Sequence, residues 1–148
     1  MTGKTDFTEE EWKLLLEGPP SAGLIVVSAQ RGGTFREAFA IGKAYTEARK
    51  QHGDSQLLDE IVEAKPERDH TRYHSYEELK QAGLQHLRDA VALLHQKATP
   101  GEAEDYRRFV LDLSERVANA HREGGQQVSD AERAAIDEIS ASLGAPDT

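Results

Sequence analysis

Apolar residues recur along this chain at spacings of three and four, the period of helices that each bury one face. The clearest stripe is Tyr106, Phe109, Val110, Leu113 and Val117. Glu102, Glu104, Asp105, Arg107, Arg108, Asp112, Glu115 and Arg116 fall between its members and form the outer face. A second stripe, Tyr76, Leu79, Gly83, Leu87, Ala90, Val91 and Leu94, predicts a helix long enough to span the domain. Trp12, Leu15 and Leu16 mark a helix near the start, Leu57, Leu58, Ile61 and Val62 a shorter one, and Ile136, Ile139 and Leu143 the last.

Start signals agree with these stripes. Thr8-Glu9-Glu10-Glu11, Ser75-Tyr76-Glu77-Glu78, Thr99-Pro100-Gly101-Glu102 and Ser129-Asp130-Ala131-Glu132 all have the form in which a hydroxyl and a carboxylate three residues on satisfy each other's backbone N–H groups. Pro100 at the first helical position and acids in the first turns add to the signal. Stop signals are Gly18-Pro19-Pro20 for the first helix, Gly53 for the third and Gly144 for the last. The run Leu24-Ile25-Val26-Val27 is too short for periodicity to separate strand from helix. A strand would need a partner, and the chain has no other β-rich segment, so the run is read as a central buried helix. A further helix is expected from about Thr34 to Gln51, with Phe35, Phe39, Tyr45, Ala38, Gly42 and Ala48 inward and its small residues permitting close helix approach.

The pattern therefore predicts an all-α fold: a single-domain bundle of six to seven helices over 1–148, the long helices of the C-terminal half antiparallel because their links are short. Residues 1–6 and 145–148 read as frayed ends, and Lys65 to His74, which lacks an apolar stripe, as a polar loop between two halves.

Composition narrows the class. The 148 residues are 37% hydrophobic and 30% charged, enough apolar surface for a packed core without staples. Absence of cysteine removes disulfides, thiolate zinc sites and cysteine nucleophiles. The longest apolar run is far short of the roughly 20 residues of a membrane span, and Met1 to Asp6 does not resemble a secretory signal. The expected location is cytoplasmic. Net charge is −9, with ten bases against thirteen acids in residues 1–74 and eight against fourteen in 75–148. An acidic surface repels phosphate backbones, so a nucleic-acid partner is not expected.

Candidate chemistry is sparse. Arg31-Gly32-Gly33 lacks the glycine and lysine spacing of a phosphate-binding loop. His70 and His74 are spaced to share a helix face but lie in the polar loop without a third ligand. With Asp69 or Glu67 they are the residues an acid–base enzyme would use. His86 and His95 read as packing or helix-end residues.

Three segments carry a resemblance: Phe7 to Leu15; Leu111 to Gly125 with Val117-Ala118-Asn119-Ala120 and Glu123-Gly124-Gly125; and Val128 to Glu132 through Leu143-Gly144. Together they resemble a group of small uncharacterised bacterial proteins related at a distance to the tellurite-resistance TerB-like proteins, the latter mainly in the final helix pair. The resemblance implies an all-helical bundle and, for the TerB branch, acidic positions that bind a divalent cation. Here those positions would be Glu123, Asp130 and Glu132, with Glu102, Glu104 or Asp105 approaching from elsewhere, since hard cations take several oxygen ligands. The chain departs in having Glu123 where TerB-like proteins have Asp, in the length of the turn before Ser129, and in lacking a Gly- and Phe-rich insertion after Gly125.

The leading functional expectation is a noncatalytic helical module, without a resident cofactor, that binds another protein or a second copy of itself in a stress response. It rests on complete helix punctuation with no polar residue stranded in a core stripe. The alternative is a divalent-cation-binding module, and the third reading is an enzyme.

Overall fold

The computed structural model describes residues 4–29, 42–43, 45–47, 56–63, 75–123 and 130–144. Within them lie a 3-10 turn at Lys4–Asp6 and five α-helices: α1 (Glu9–Ala29), α2 (Gln56–Glu63), α3 (Tyr76–Lys97), α4 (Pro100–Glu123) and α5 (Asp130–Leu143). Residues 42–43 and 45–47 are also helical, and no strand occurs among the described residues. The protein is an all-α bundle.

Two helix starts carry the full reciprocal box. The Thr8 N–H donates to Glu11 Oε1 at 2.9 Å and the Glu11 N–H to Thr8 Oγ1 at 3.1 Å. At α4 the Thr99 N–H donates to Glu102 Oε1 at 2.9 Å and the Glu102 N–H to Thr99 Oγ1 at 3.2 Å. At α3, Ser75 Oγ accepts from the Glu78 N–H at 3.1 Å. Each satisfies N–H groups that a helix's first turn leaves without a carbonyl. Gly144, at φ 86, ends α5 in the left-handed conformation that glycine tolerates. Ser129, and with it the fourth box, lies outside the described residues.

The expected stop at Gly18-Pro19-Pro20 does not occur: α1 runs through both prolines to Ala29. Each proline in a helix interior costs about 3 kcal/mol and leaves the carbonyl four residues earlier without its donor. Continuity is sustained from outside the helix. The Tyr106 hydroxyl of α4 donates to the Leu15 carbonyl, the one Pro19 cannot serve, at 2.7 Å. Beyond the prolines, Ala22, Ile25 and Val26 are wholly buried. Leu24 to Val27 is thus helical as expected, although Leu24 faces outward and is exposed.

α1 is the axis of the core and packs against α3, α4 and α5. Its direction relative to α3 follows from two contacts: Glu11 near its start pairs with Lys97 at the end of α3, and Ile25 near its end lies on Gly83 near the start of α3. The two helices are antiparallel. α4 and α5 form the expected antiparallel hairpin, with Arg107 Nε donating to the Gly144 carbonyl at 2.8 Å. Every member of the α4 stripe is buried, as are Leu57 and Ile61 of α2. Each fully buried aliphatic or aromatic side chain contributes roughly 1.5–3 kcal/mol.

Two further expectations are corrected, and a third position is defined. Residues 4–6, read as a frayed end, form the 3-10 turn, and the Asp6 carbonyl accepts from Lys97 Nζ at 3.4 Å. Gly42, placed on an inner stripe by its spacing, is exposed, and a Cβ there would meet nothing. Glu132, read as a capping-box residue and a candidate cation ligand, is fully buried, a placement the cap pattern leaves open. Phe35, Phe39, Gly53, the 65–74 loop and the tail at 145–148 lie outside the described residues.

Candidate functional site

The sequence points to the α4–α5 hairpin. Glu123 is the last residue of α4, and its side chain lies outside the described residues. Asp130 and Glu132 both belong to the first turn of α5, but successive helical residues turn by about 100°, so two positions apart they diverge. Asp130 is exposed, whereas Glu132 lies on the stripe of Ala135, Ile139 and Leu143 and has no accessible surface. Ligands approaching from Glu102, Glu104 or Asp105 are ruled out by the hairpin's geometry. Those acids sit where α4 begins, beside the end of α5, and the rise of the helix separates Glu102 from Glu123 by roughly 30 Å. Glu104 is moreover engaged by Arg107 and Arg108 at 3.4 and 3.8 Å. Among the described residues, no three His, Asp or Glu side chains are grouped to hold a metal ion.

Two lysines of α3 gather the larger polar clusters. Lys97 Nζ lies 2.7 Å from Glu11 Oε1 and 5.8 Å from the centroid of the Phe7 ring, so one ammonium ties the N-terminal turn and the start of α1 to the end of α3. The Lys97 ammonium, then the Thr8 N–H, hold the Glu11 carboxyl below its ordinary pKa. At the other end, Lys80 contacts Glu77 at 3.0 Å and Glu138 of α5 at 3.2 Å, with the Tyr76 ring 5.7 Å away. The hydrogen bond to Glu77, more than the one to Glu138, raises the Lys80 pKa, while burial raises that of Tyr76. A lysine shifted upward stays protonated and is a fixed cation, the opposite of the lowered pKa a nucleophilic lysine requires.

The third polar arrangement is the joint of α1 and α4. Gly18 has no side chain where Tyr106 approaches; a Cβ there would collide with the phenol oxygen. Tyr106 is fully buried, and burial, with a smaller push from Tyr45, raises its pKa well above the ordinary phenol value. It holds its proton and acts as a donor. Nearby on α4, the buried Ser114 hydroxyl donates to the Val110 carbonyl at 2.9 Å, and the Tyr45 and Phe109 rings meet edge to face at 5.1 Å.

His95 is exposed. His86 is half-buried, and its buried Nδ1 has no hydrogen-bond partner among the described residues. His70 and His74, with Asp69 and Glu67, lie outside the described residues.

Two of these features carry signals in the sequence. Pro19 stands four residues after Leu15, which marks the Leu15 carbonyl as needing a foreign donor. Glu132 stands three before Ala135 and seven before Ile139, which places it on the inner stripe whatever its capping role. Lys97 and Lys80 carry no such signal, because their partners are distant in sequence. Comparison with protein families, with curated proteins and with solved structures finds no match to this chain.

Proposed function

We propose that this chain is a noncatalytic helical module that acts by binding another protein, with a second copy of itself as the homomeric form of that reading. The observation that supports it is that the polar clusters tie helices to one another: Lys97 of α3 pairs with Glu11 of α1, Lys80 of α3 with Glu138 of α5, and the Tyr106 hydroxyl of α4 donates to the Leu15 carbonyl of α1. The direction of the pKa shifts agrees with this structural use. Glu11 moves down, and Lys80, Tyr76 and Tyr106 move up, all away from neutral pH. Catalytic acids and bases need the reverse, a pKa brought towards the working pH so that the proton is exchangeable. These groups are held in one protonation state and serve as struts between helices. The likeness of the final helix pair to TerB-like proteins supports a role in stress response. Sedimentation equilibrium of the pure chain, followed by cross-linking in an extract of its own cells, tests this reading. A dimer, or a stoichiometric partner whose cross-links fall on one face, is expected. A chain that stays monomeric and cross-links nothing above a denatured control overturns it.

A further inference from the structure

The geometry points to a hinge within α1: Gly18 to Pro20 divides the helix into two segments, and the hydroxyl of Tyr106 is its latch, because it serves the Leu15 carbonyl that water could otherwise reach only when the joint opens. The segment after the hinge, from Ser21 onwards, opens as a unit while the segment before it stays in place.

Three observations carry this. The backbone ladder is interrupted at adjacent rungs, because Pro19 and Pro20 have no N–H for the carbonyls of Leu15 and Leu16. The residue before the pair is Gly18, which has no Cβ to restrict its backbone at the point where the ladder is short of two hydrogen bonds. Finally, the two segments are anchored separately. The first is held by the Thr8 and Glu11 box and by the Lys97 ion pair at the end of α3. The second is held at the other end of α3, where Ile25 lies on Gly83. At the joint itself the Tyr106 hydroxyl donates to the Leu15 carbonyl, and Gly18 leaves the room that admits it. A helix with independent anchors and a joint short of two internal hydrogen bonds opens there at lower cost than elsewhere. Opening would bring Ala22, Ile25 and Val26 to solvent beside the already exposed Leu24.

Native-state hydrogen exchange on the full chain tests the hinge. In the wild type, amides of Ser21 to Val26 are expected to exchange through a smaller opening than those of Lys13 to Glu17. Tyr106→Phe removes only the latching hydroxyl and should speed exchange in Ser21 to Val26 by about tenfold, the scale of one lost buried hydrogen bond, while leaving Lys13 to Glu17 unchanged. Pro19→Ala returns an N–H for the Leu15 carbonyl. It should slow exchange in Ser21 to Val26 on its own and remove most of the Tyr106→Phe effect in the double variant. Acceleration of both segments by the same factor, no acceleration in Tyr106→Phe, or a double variant as fast as Tyr106→Phe overturns the proposal. Should Tyr106→Phe fail to fold, Pro19→Ala alone decides: slower exchange after the joint supports the hinge, and unchanged exchange overturns it.

Discussion

Gly83 of α3 lies so close to Ile25 of α1 that a Cβ on it would stand 2.7 Å from Ile25 Cδ1 and 3.2 Å from Cγ1. The two helices owe their close antiparallel approach to this missing methyl group, and Ile25, wholly buried, has little room to withdraw.

Gly83→Ala therefore sets two effects against each other. Alanine favours a helix interior over glycine by about 1 kcal/mol. Overpacking a full core costs about 1–3 kcal/mol. Net destabilisation of about 1 kcal/mol is expected in urea denaturation, and Ile25→Val in the same chain should restore part of it. A gain in stability for Gly83→Ala alone would show that the helices separate easily.

Thr99→Ala removes the acceptor for the Glu102 N–H at the start of α4, and a loss of about 1 kcal/mol is expected. Thr99→Ser keeps the hydroxyl and should stay close to wild type. Equal losses in the two variants would assign the effect to the threonine methyl group.

The Lys97 and Glu11 pair predicts a pH dependence with a definite sign. The folded pKa of Glu11 is lowered, so its contribution is present above the ordinary glutamate value of about 4.3 and is lost as pH falls through the folded value. Lys97→Gln should be less stable than wild type at neutral pH, and the two stability curves should converge as the solution is acidified below pH 4 or so. Curves that stay parallel across that range would deny the pair any linkage.

At the alkaline end Tyr106 sets the sign. Its folded pKa is raised, so above about pH 10 the unfolded chain releases the phenol proton while the folded chain retains it, and stability falls as pH rises. The stability advantage of wild type over Tyr106→Phe should shrink above that pH. Phenolate absorbance should show Tyr106 ionising only on unfolding; ionisation in the folded chain near the ordinary value would contradict its burial.

Legibility differs between the fold and the candidate site. The helix starts at Thr8, Ser75 and Thr99 and the stripe from Tyr106 to Val117 follow from residues three to seven positions apart, and the structure places them as the spacing predicts. For the site, the capping pattern puts Asp130 and Glu132 in one turn without separating an exposed carboxylate from a buried one. The spacing of Glu132 to Ala135 and Ile139 gives its side of the helix, and the surface α5 meets decides how fully it is withdrawn from solvent.

What the sequence determined by itself is the local order: an all-α chain, where most of its helices begin, and which face of α4 is apolar. These are properties of single helices, set by hydrogen bonds and side-chain directions within a few residues. Tertiary structure alone decided that α1 continues through Pro19 and Pro20, that α3 takes α1 as its closely packed antiparallel partner, and that Gly83 rather than Gly42 marks a close approach. The physical reason is the same in each case. A proline pair ends a helix only when the carbonyls it strands find no other donor and the residues beyond it no other core. Here Tyr106 supplies the donor and Gly83 makes room for Ile25 from distant parts of the chain.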